Sequence, residues 1–238
     1  MRAVVCLPTY NERENLEPMV RALGEVLPPG GRVLVIDDAS PDGTGEIADR
    51  LAVELDWIDV LHRERKEGLG RAYVAGFHRV LATDAELVLE MDCDFSHDPA
   101  DVPRLIAAVE QGADLALGSR YVPGGGVADW GFLRRVISYG ASVYTRSLLM
   151  SVRDPTGGFK CFRREVLESI ELDEVDAAGY VFQIETTFRA LRKGFRVVEV
   201  PIRFTDRTQG ASKMSRSIVF EAIWKVPALR ARALAGRL

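Results

Sequence analysis

Cysteine and histidine are both scarce, three of each in 238 residues. Cys6, Cys93 and Cys161 stand far apart, with no C-x-x-C pair and no finger spacing. That excludes a cysteine-rich zinc module and a dense disulfide framework. An odd number of thiols inside apolar segments reads as reduced and structural. His62, His78 and His97 leave little material for a His-rich metal site or a Ser-His-Asp arrangement. His97, beside Asp98-Pro99, reads as the approach to a helix rather than as a catalytic group. Long apolar runs are missing too. The longest stretch free of Asp, Glu, Lys and Arg is ten residues, Val136 to Thr145, whereas a membrane-spanning helix needs about 20 predominantly apolar residues. The opening MRAVVCLPTYNERE passes from a strand-like segment straight into a charged one, without the pattern of a secretory signal. Internal repeats, low-complexity tracts and linker-like stretches are also lacking, so a single cytosolic domain over 1–238 is expected.

What is present is the balance of a globular chain, 47% hydrophobic and 28% charged, long enough to bury a substantial core. The net charge of −4 is uneven: residues 203–238 carry eight Lys/Arg against two Asp/Glu, leaving the rest at −10. A basic end on an acidic body points to a local anionic partner rather than to nucleic acid. From charge alone, a solvated Arg-rich helix is the favoured reading.

The first half alternates strand and helix. AVVCL (3–7), RVLVI (32–36), WIDVL (57–61), ELVLEMD (86–92) and ADLALGS (113–119) read as buried strands. Between them lie amphipathic segments over 12–27, 44–56, 69–81 and 99–110, the first stopped by Pro28-Pro29-Gly30-Gly31. This order predicts an α/β fold whose mostly parallel sheet is flanked by helices, with ligands at the carboxyl ends of the strands. The second half offers a Gly-rich loop (122–126), helices over 133–151 and 180–194, and strands at 154–162 and 195–204. It closes with a C-terminal helix interrupted at Pro227.

The polar residues after each strand carry the chemistry. Asp92-Cys93-Asp94 follows the fourth strand, where alternate residues share a side, so two carboxylates can converge on a hard cation such as Mg²⁺ or Mn²⁺. Asp38 ends the second strand as a candidate for ribose hydroxyls or a base edge, while Asp42 reads as a helix cap within a Pro-Asp-Gly turn. Pro8, Tyr10 and Glu12 end the first strand, where Tyr10 and Asn11 can equally close a turn with Asn11 as N-cap. Arg120, Arg134, Arg207 and Lys213 are basic residues on loops or helix starts that suit phosphate, and Ser138 lies one turn beyond Arg134.

Assembled, these segments resemble the family 2 glycosyltransferases of GT-A fold, and within them the polyprenol-phosphate (dolichol-phosphate) mannosyltransferases. The segments that carry the resemblance are LPTYNERENLEPMV (7–20), VLVIDDASPDGT (33–44), GLGRAYVAGF (68–77), EMDCDFSHDP (90–99), GSRYVPGGG (118–126), DPTGGFKCFRREVL (154–167) and RTQGASKM (207–214). The resemblance implies a nucleotide-sugar half over 1–119 and an acceptor half over 120–238. It places Pro8, Tyr10, Glu12, Ile36 and Asp38 along the nucleotide, and Asp92 and Asp94 on the metal with Cys93 between them. Ser96 falls where some members place a metal-ligating glutamine. Arg120, Arg134 and Ser138 match residues that hold phosphates, and Arg207 and Lys213 a basic loop over the site.

The implied reaction moves mannose from GDP-mannose to a polyprenyl monophosphate with inversion, aided by Mg²⁺ or Mn²⁺. Asp94, Arg120, Arg134 and Lys213 are the expected catalytic group. A phosphate monoester has a second pKa of about 6, so such an acceptor needs no general base, and none is obvious in the motifs. A lipid acceptor further implies contact with the cytosolic face of a membrane through the apolar positions of helix 133–151 and the C-terminal helix. A separate membrane-anchoring protein is a reasonable partner. The alternatives are another nucleotide sugar on the same lipid, transfer to a protein or polysaccharide hydroxyl, and a non-catalytic nucleotide-sugar binder.

Overall fold

The structure is a computed structural model that describes residues 1–128, 130–175, 180–206, 216–236 and 238, with 180 and 216–222 described in main chain alone. Strands β1 (Ala3–Thr9), β2 (Arg32–Asp37), β3 (Ile58–His62) and β4 (Leu87–Glu90) pair in parallel. Helices α1 (Leu16–Val26), α2 (Thr44–Glu54) and α3 (Leu69–Leu81) connect them, and α4 (Val102–Glu110) leads to β5 (Leu115–Ser119). The second half adds β6 (Gly126–Val127), α5 (Phe132–Leu148), β7 (Lys160–Arg163), α6 (Arg164–Ser169), α7 (Tyr180–Arg192), β8 (Val197–Pro201), β9 (Arg203–Phe204) and α8 (Arg216–Leu234). The main sheet runs β3-β2-β1-β4-β7-β5-β8, and β6 and β9 form a separate ribbon.

The period of two along each strand sorts the core into two layers. Ala3, Val5 and Leu7 of β1 pack with Val33 and Val35 against α1, α2 and α4; Val4 and Cys6 pack with Leu34 and Ile36 against α3 and α7. In α1 the buried residues Leu16, Met19, Val20 and Leu23 keep helical spacing. Each such burial contributes about 1.5–3 kcal/mol. With both sheet faces covered, the open edge at the carboxyl ends of the strands is the place left for a ligand.

Several sequence expectations change. The sheet is mostly parallel as expected, with β7 inserted antiparallel between β4 and β5. The strand expected over 195–204 divides at Ile202: β8 stays in the main sheet, whereas β9 leaves it to pair with β6. Periodicity did not foresee α6. Asn11 caps nothing; its φ is 57°, and α1 opens only at Leu16 because residues 11–13 are tied to the β2–α2 turn. Glu12 N–H donates to Thr44 Oγ1 (3.0 Å) and Arg13 N–H to Asp42 Oδ2 (3.2 Å). Gly43, at φ 92°, occupies the N-cap position of α2, while Asp42 accepts Thr44 N–H at 3.1 Å from one residue further out. Pro227 does not interrupt the last helix: Val226, Leu229 and Ala233 are buried on either side of the missing N–H and hold α8 to the core.

Candidate active site

The strand ends line up through register. Pro8 pairs with Ile36 and Thr9 with Asp37, and Ile36 and Asp37 pair in turn with Leu61 and His62. Tyr10, Asp38 and Arg63 are therefore neighbours on one edge. The Asp38 carboxylate takes an ion pair from Arg63, whose other arm reaches Glu67 at 2.7 Å. Burial pushes the Asp38 carboxyl up, against the opposing pull of Arg63. Lys66 Nζ lies 3.6 Å over the Tyr10 ring, and Glu12 Oε2 accepts from Asn15 Nδ2 at 2.8 Å. Pro8 is partly buried. Ile36 is fully buried between β1 and β3, and a Cβ at Gly76 would meet its Cδ1 at 2.3 Å, so the structure places it beneath the edge rather than open to a ligand.

On β1's other side β4 ends at Glu90, and Met91 N–H makes a last ladder bond to Cys6 O. The chain then bends through Asp92-Cys93-Asp94-Phe95-Ser96-His97. Phe95 sits at φ 59°, a left-handed conformation that costs about 1–3 kcal/mol and persists only where the surroundings enforce it. Asp94 Oδ1 accepts Ser96 N–H at 3.0 Å, and His97 Nδ1 accepts Asp92 N–H at 3.2 Å. Cys93 is buried, with its main chain between the two carboxylates. The His97 ring stacks on Phe159 (5.0 Å) and meets the edge of Phe204 (5.4 Å). Burial pulls its imidazole down to about 4, so the ring is neutral near pH 7 and carries its proton on Nε2.

Below the bend, Glu90 faces Lys160 across β4 and β7 at 3.0 Å, both fully buried. Lys160 Nζ also donates to Gln183 Oε1 (2.6 Å), Gln183 O (3.0 Å) and Thr186 Oγ1 (3.1 Å). Burial pushes the glutamate up and the lysine down, and the pair opposes both shifts. The network anchors β7 to β4 directly beneath the two aspartates.

Arg120 ends β5 and is 7% exposed. Asp154 grips it, accepting from Nε at 2.7 Å, Nη2 at 2.6 Å and the main-chain N–H at 2.9 Å. The guanidinium lies 5.3–5.6 Å from the Tyr121, Trp130 and Phe204 rings. Arg134, in the first turn of α5, stacks 4.3 Å over Trp130 and pairs with Asp206 at 2.5 Å. Trp130 Nε1 and Arg134 Nε are buried without a hydrogen-bond partner among the described residues. Tyr121 Oη donates to Ser138 Oγ at 2.7 Å. Arg207 and Lys213 lie outside the described residues.

Among the described residues no group of three His, Cys, Asp or Glu side chains could enclose a metal. Asp92 and Asp94 supply hard oxygen donors, and the Ser96 hydroxyl beside them is buried with no hydrogen-bond partner among the described residues. That donor set fits a Mg²⁺- or Mn²⁺-like ion that completes its shell with water and phosphate. It does not fit a closed zinc site.

Sequence reasoning missed Arg63, Asp154, Trp130, Phe204 and the contact made by His97. Arg63 had a signal, because it is the first residue past β3 on the edge where ligands are expected. The others meet only through β7 and the β6–β9 ribbon.

A family model, glycosyl transferase family 2, matches residues 4–171. The chain is 52% identical to the polyprenol monophosphomannose synthase of Mycolicibacterium smegmatis, over 94% of this chain and 85% of that one. It is 47% identical to the undecaprenyl-phosphate mannosyltransferase of Micrococcus luteus, over 95% and 93%. With the dolichol-phosphate mannosyltransferase of Pyrococcus furiosus it shares 38% identity, over 93% of this chain but 61% of the longer relative. Among solved structures, the Mycobacterium tuberculosis glucosyl-3-phosphoglycerate synthase in complex with Mn²⁺, UDP-glucose and phosphoglyceric acid superposes with a TM-score of 0.71 at 20% identity. That match covers 97% of this chain and 80% of that one. The parallel strand ends carrying Asp38 and the Asp92/Asp94 bend thus sit in a GT-A-like architecture, and the chain belongs to glycosyl transferase family 2.

Proposed function

We propose that this protein transfers mannose from GDP-mannose to a polyprenyl monophosphate, with inversion at the anomeric carbon. The observation that carries this reading is the juxtaposition of two sites. The Asp92/Asp94 bend adjoins a cluster of two arginines, through His97 against Phe204 and Phe204 against Trp130. One site suits a diphosphate with its cation, the other a second phosphate. The names of the relatives at 52% and 47% identity support a polyprenyl phosphate as acceptor and mannose as the sugar.

Asp38 and Arg63 offer a paired acceptor and donor to the nucleoside, with the Tyr10 ring beside them. Asp92 and Asp94, with the Ser96 hydroxyl, would hold a divalent ion, which supplies charge neutralisation for the departing diphosphate. Arg120 and Arg134 hold the acceptor phosphate. Asp154 fixes the first guanidinium, and stacking on Trp130 orients the second. A phosphate oxygen forms the new bond to the anomeric carbon as the bond to the nucleoside diphosphate breaks. Near neutral pH that oxygen is already anionic, so alignment and charge stabilisation carry the rate. Arg207 and Lys213 belong in this reading as a basic loop over the phosphates.

Phe132 and Leu133 are 83% and 69% exposed beside Arg134 on α5. Val136, Ile137 and Val143 continue the exposed apolar face, and Ile223 and Trp224 extend it on α8, tied by Tyr144 Oη donating to Ile223 O at 3.0 Å. No helix among the described residues is long and apolar enough to cross a membrane. This face is therefore read as resting on the cytosolic leaflet, alone or with an anchoring protein, so that the lipid phosphate reaches Arg134.

The test incubates purified protein and Mn²⁺ or Mg²⁺ with a panel of nucleotide sugars and a polyprenyl phosphate. GDP and a mannolipid are the expected products. Preferential use of UDP-glucose would overturn the donor, and absence of transfer from every sugar would overturn the enzymatic reading.

A further inference from the structure

His97 has no part in the chemistry above, yet it is the most constrained polar side chain at the bend. The β1–β4 ladder ends at Met91 N–H, and Asp92 N–H is the next donor along the chain. His97 Nδ1 takes it at 3.2 Å and closes a six-residue loop over the left-handed Phe95. The ring cannot drift, because Phe159 stacks on one face and Phe204 meets it edge-on. The adjoining main chain is tied as well, with Thr205 N–H donating to Ser96 O at 3.3 Å. Phe204 also packs on Trp130, beneath Arg134.

We infer that His97 is the positioning residue of the metal-binding bend, its Nδ1 fixing the Asp92 main chain so that the Asp92 and Asp94 carboxylates are held ready for the cation and diphosphate. The inference rests on the proposed metal role of those aspartates. It is an acceptor's role: a donor at that position would face Asp92 N–H and open the loop.

Two amides separate acceptor position from mere polarity and bulk. In His97→Asn the side-chain oxygen falls near the place of Nδ1, whereas in His97→Gln it falls near Nε2 and cannot reach Asp92 N–H. Binding of MnCl₂ in the presence of GDP, read from the free-Mn²⁺ electron paramagnetic resonance signal, reports on the bend without turnover. Outer-shell partners of metal ligands are typically worth 10- to 100-fold in affinity. His97→Gln is therefore expected to weaken Mn²⁺ binding by about 10-fold or more, with His97→Asn close to wild type. In transfer assays, the Gln variant should need correspondingly more Mn²⁺ for half-maximal rate while KM for the polyprenyl phosphate stays unchanged. Equal Mn²⁺ affinity in the Asn and Gln variants would overturn the role of His97. An Asp94→Asn control that still binds Mn²⁺ like wild type would instead remove the metal reading, and this inference with it.

Discussion

Replacing Asp154 by alanine tests how the arginine cluster is held. The side chain is fully buried, and the guanidinium it pairs with is only 6% exposed. Its carboxylate accepts three N–H donors from Arg120 at 2.6–2.9 Å and the Thr156 hydroxyl at 3.3 Å. Tyr121, Trp130 and Phe204 flank the guanidinium, so little of it faces water when no ligand phosphate is beside it. Removing one partner of a buried pair costs about 3–5 kcal/mol, because the remaining charge is left uncompensated. In a domain of this size each kcal/mol lowers Tm by about 2–4 °C, so Asp154→Ala should melt roughly 6–20 °C below wild type. Thermal unfolding followed by circular dichroism measures this directly. Asp154→Asn, which keeps an acceptor but loses the charge, should fall between the two. The double variant Arg120→Met/Asp154→Leu should recover much of the loss, since apolar replacements of buried pairs are often neutral, while transfer stays abolished. A Tm within about 2 °C of wild type for Asp154→Ala would refute the claim that Arg120 is trapped and needs its partner.

Three further outcomes are expected. Chelation by EDTA, or Asp92→Ala, should abolish transfer with Tm within about 4 °C of wild type; wild-type rates in EDTA would remove the metal from the mechanism. Gly76→Ala places a Cβ 2.3 Å from Ile36 Cδ1 and should destabilise by about 1–3 kcal/mol in urea unfolding. Ile36→Val, which deletes that methyl group, should relieve much of the penalty in the double variant, and strict additivity would count against the clash. Replacing both Phe132 and Leu133 by serine should weaken sedimentation with anionic vesicles by roughly tenfold or more, given about 1.5–3 kcal/mol per buried side chain, with Tm unchanged; undiminished binding would place the membrane contact elsewhere.

The strands that end at Tyr10, Asp38 and Asp92 were legible because each is an apolar run followed at once by a polar residue, and parallel register aligns such ends. Ser96 entered the candidate metal site only through the resemblance, and the structure adds that its hydroxyl is buried with no hydrogen-bond partner among the described residues. Arg120 and Arg134 stood out in the sequence as basic residues on a loop and a helix start, and the structure brings both against Trp130. Their partners, Asp154 and Asp206, were not legible, because each pairs across 34 or 72 residues of chain. His97 read as a helix approach, and Asp98 does cap the following turn through Ala100 N–H at 2.9 Å. What the ring itself does depended on Phe159 and Phe204 arriving from β7 and β9.

Local patterning alone settled the α/β order, the two-sided burial of the sheet and the edge where ligands belong, since periods of 2 and 3.6 are properties of neighbouring residues. The same local grammar placed Asp92 and Asp94 together just past a strand. Tertiary structure decided the antiparallel insertion of β7, the departure of β9 from the sheet and the continuity of α8 through Pro227. It also decided which acid grips which arginine and which acceptor takes the Asp92 N–H in the bend after β4. Those outcomes depend on contacts between residues distant in the chain, whose free energy appears only once the sheet has brought them together.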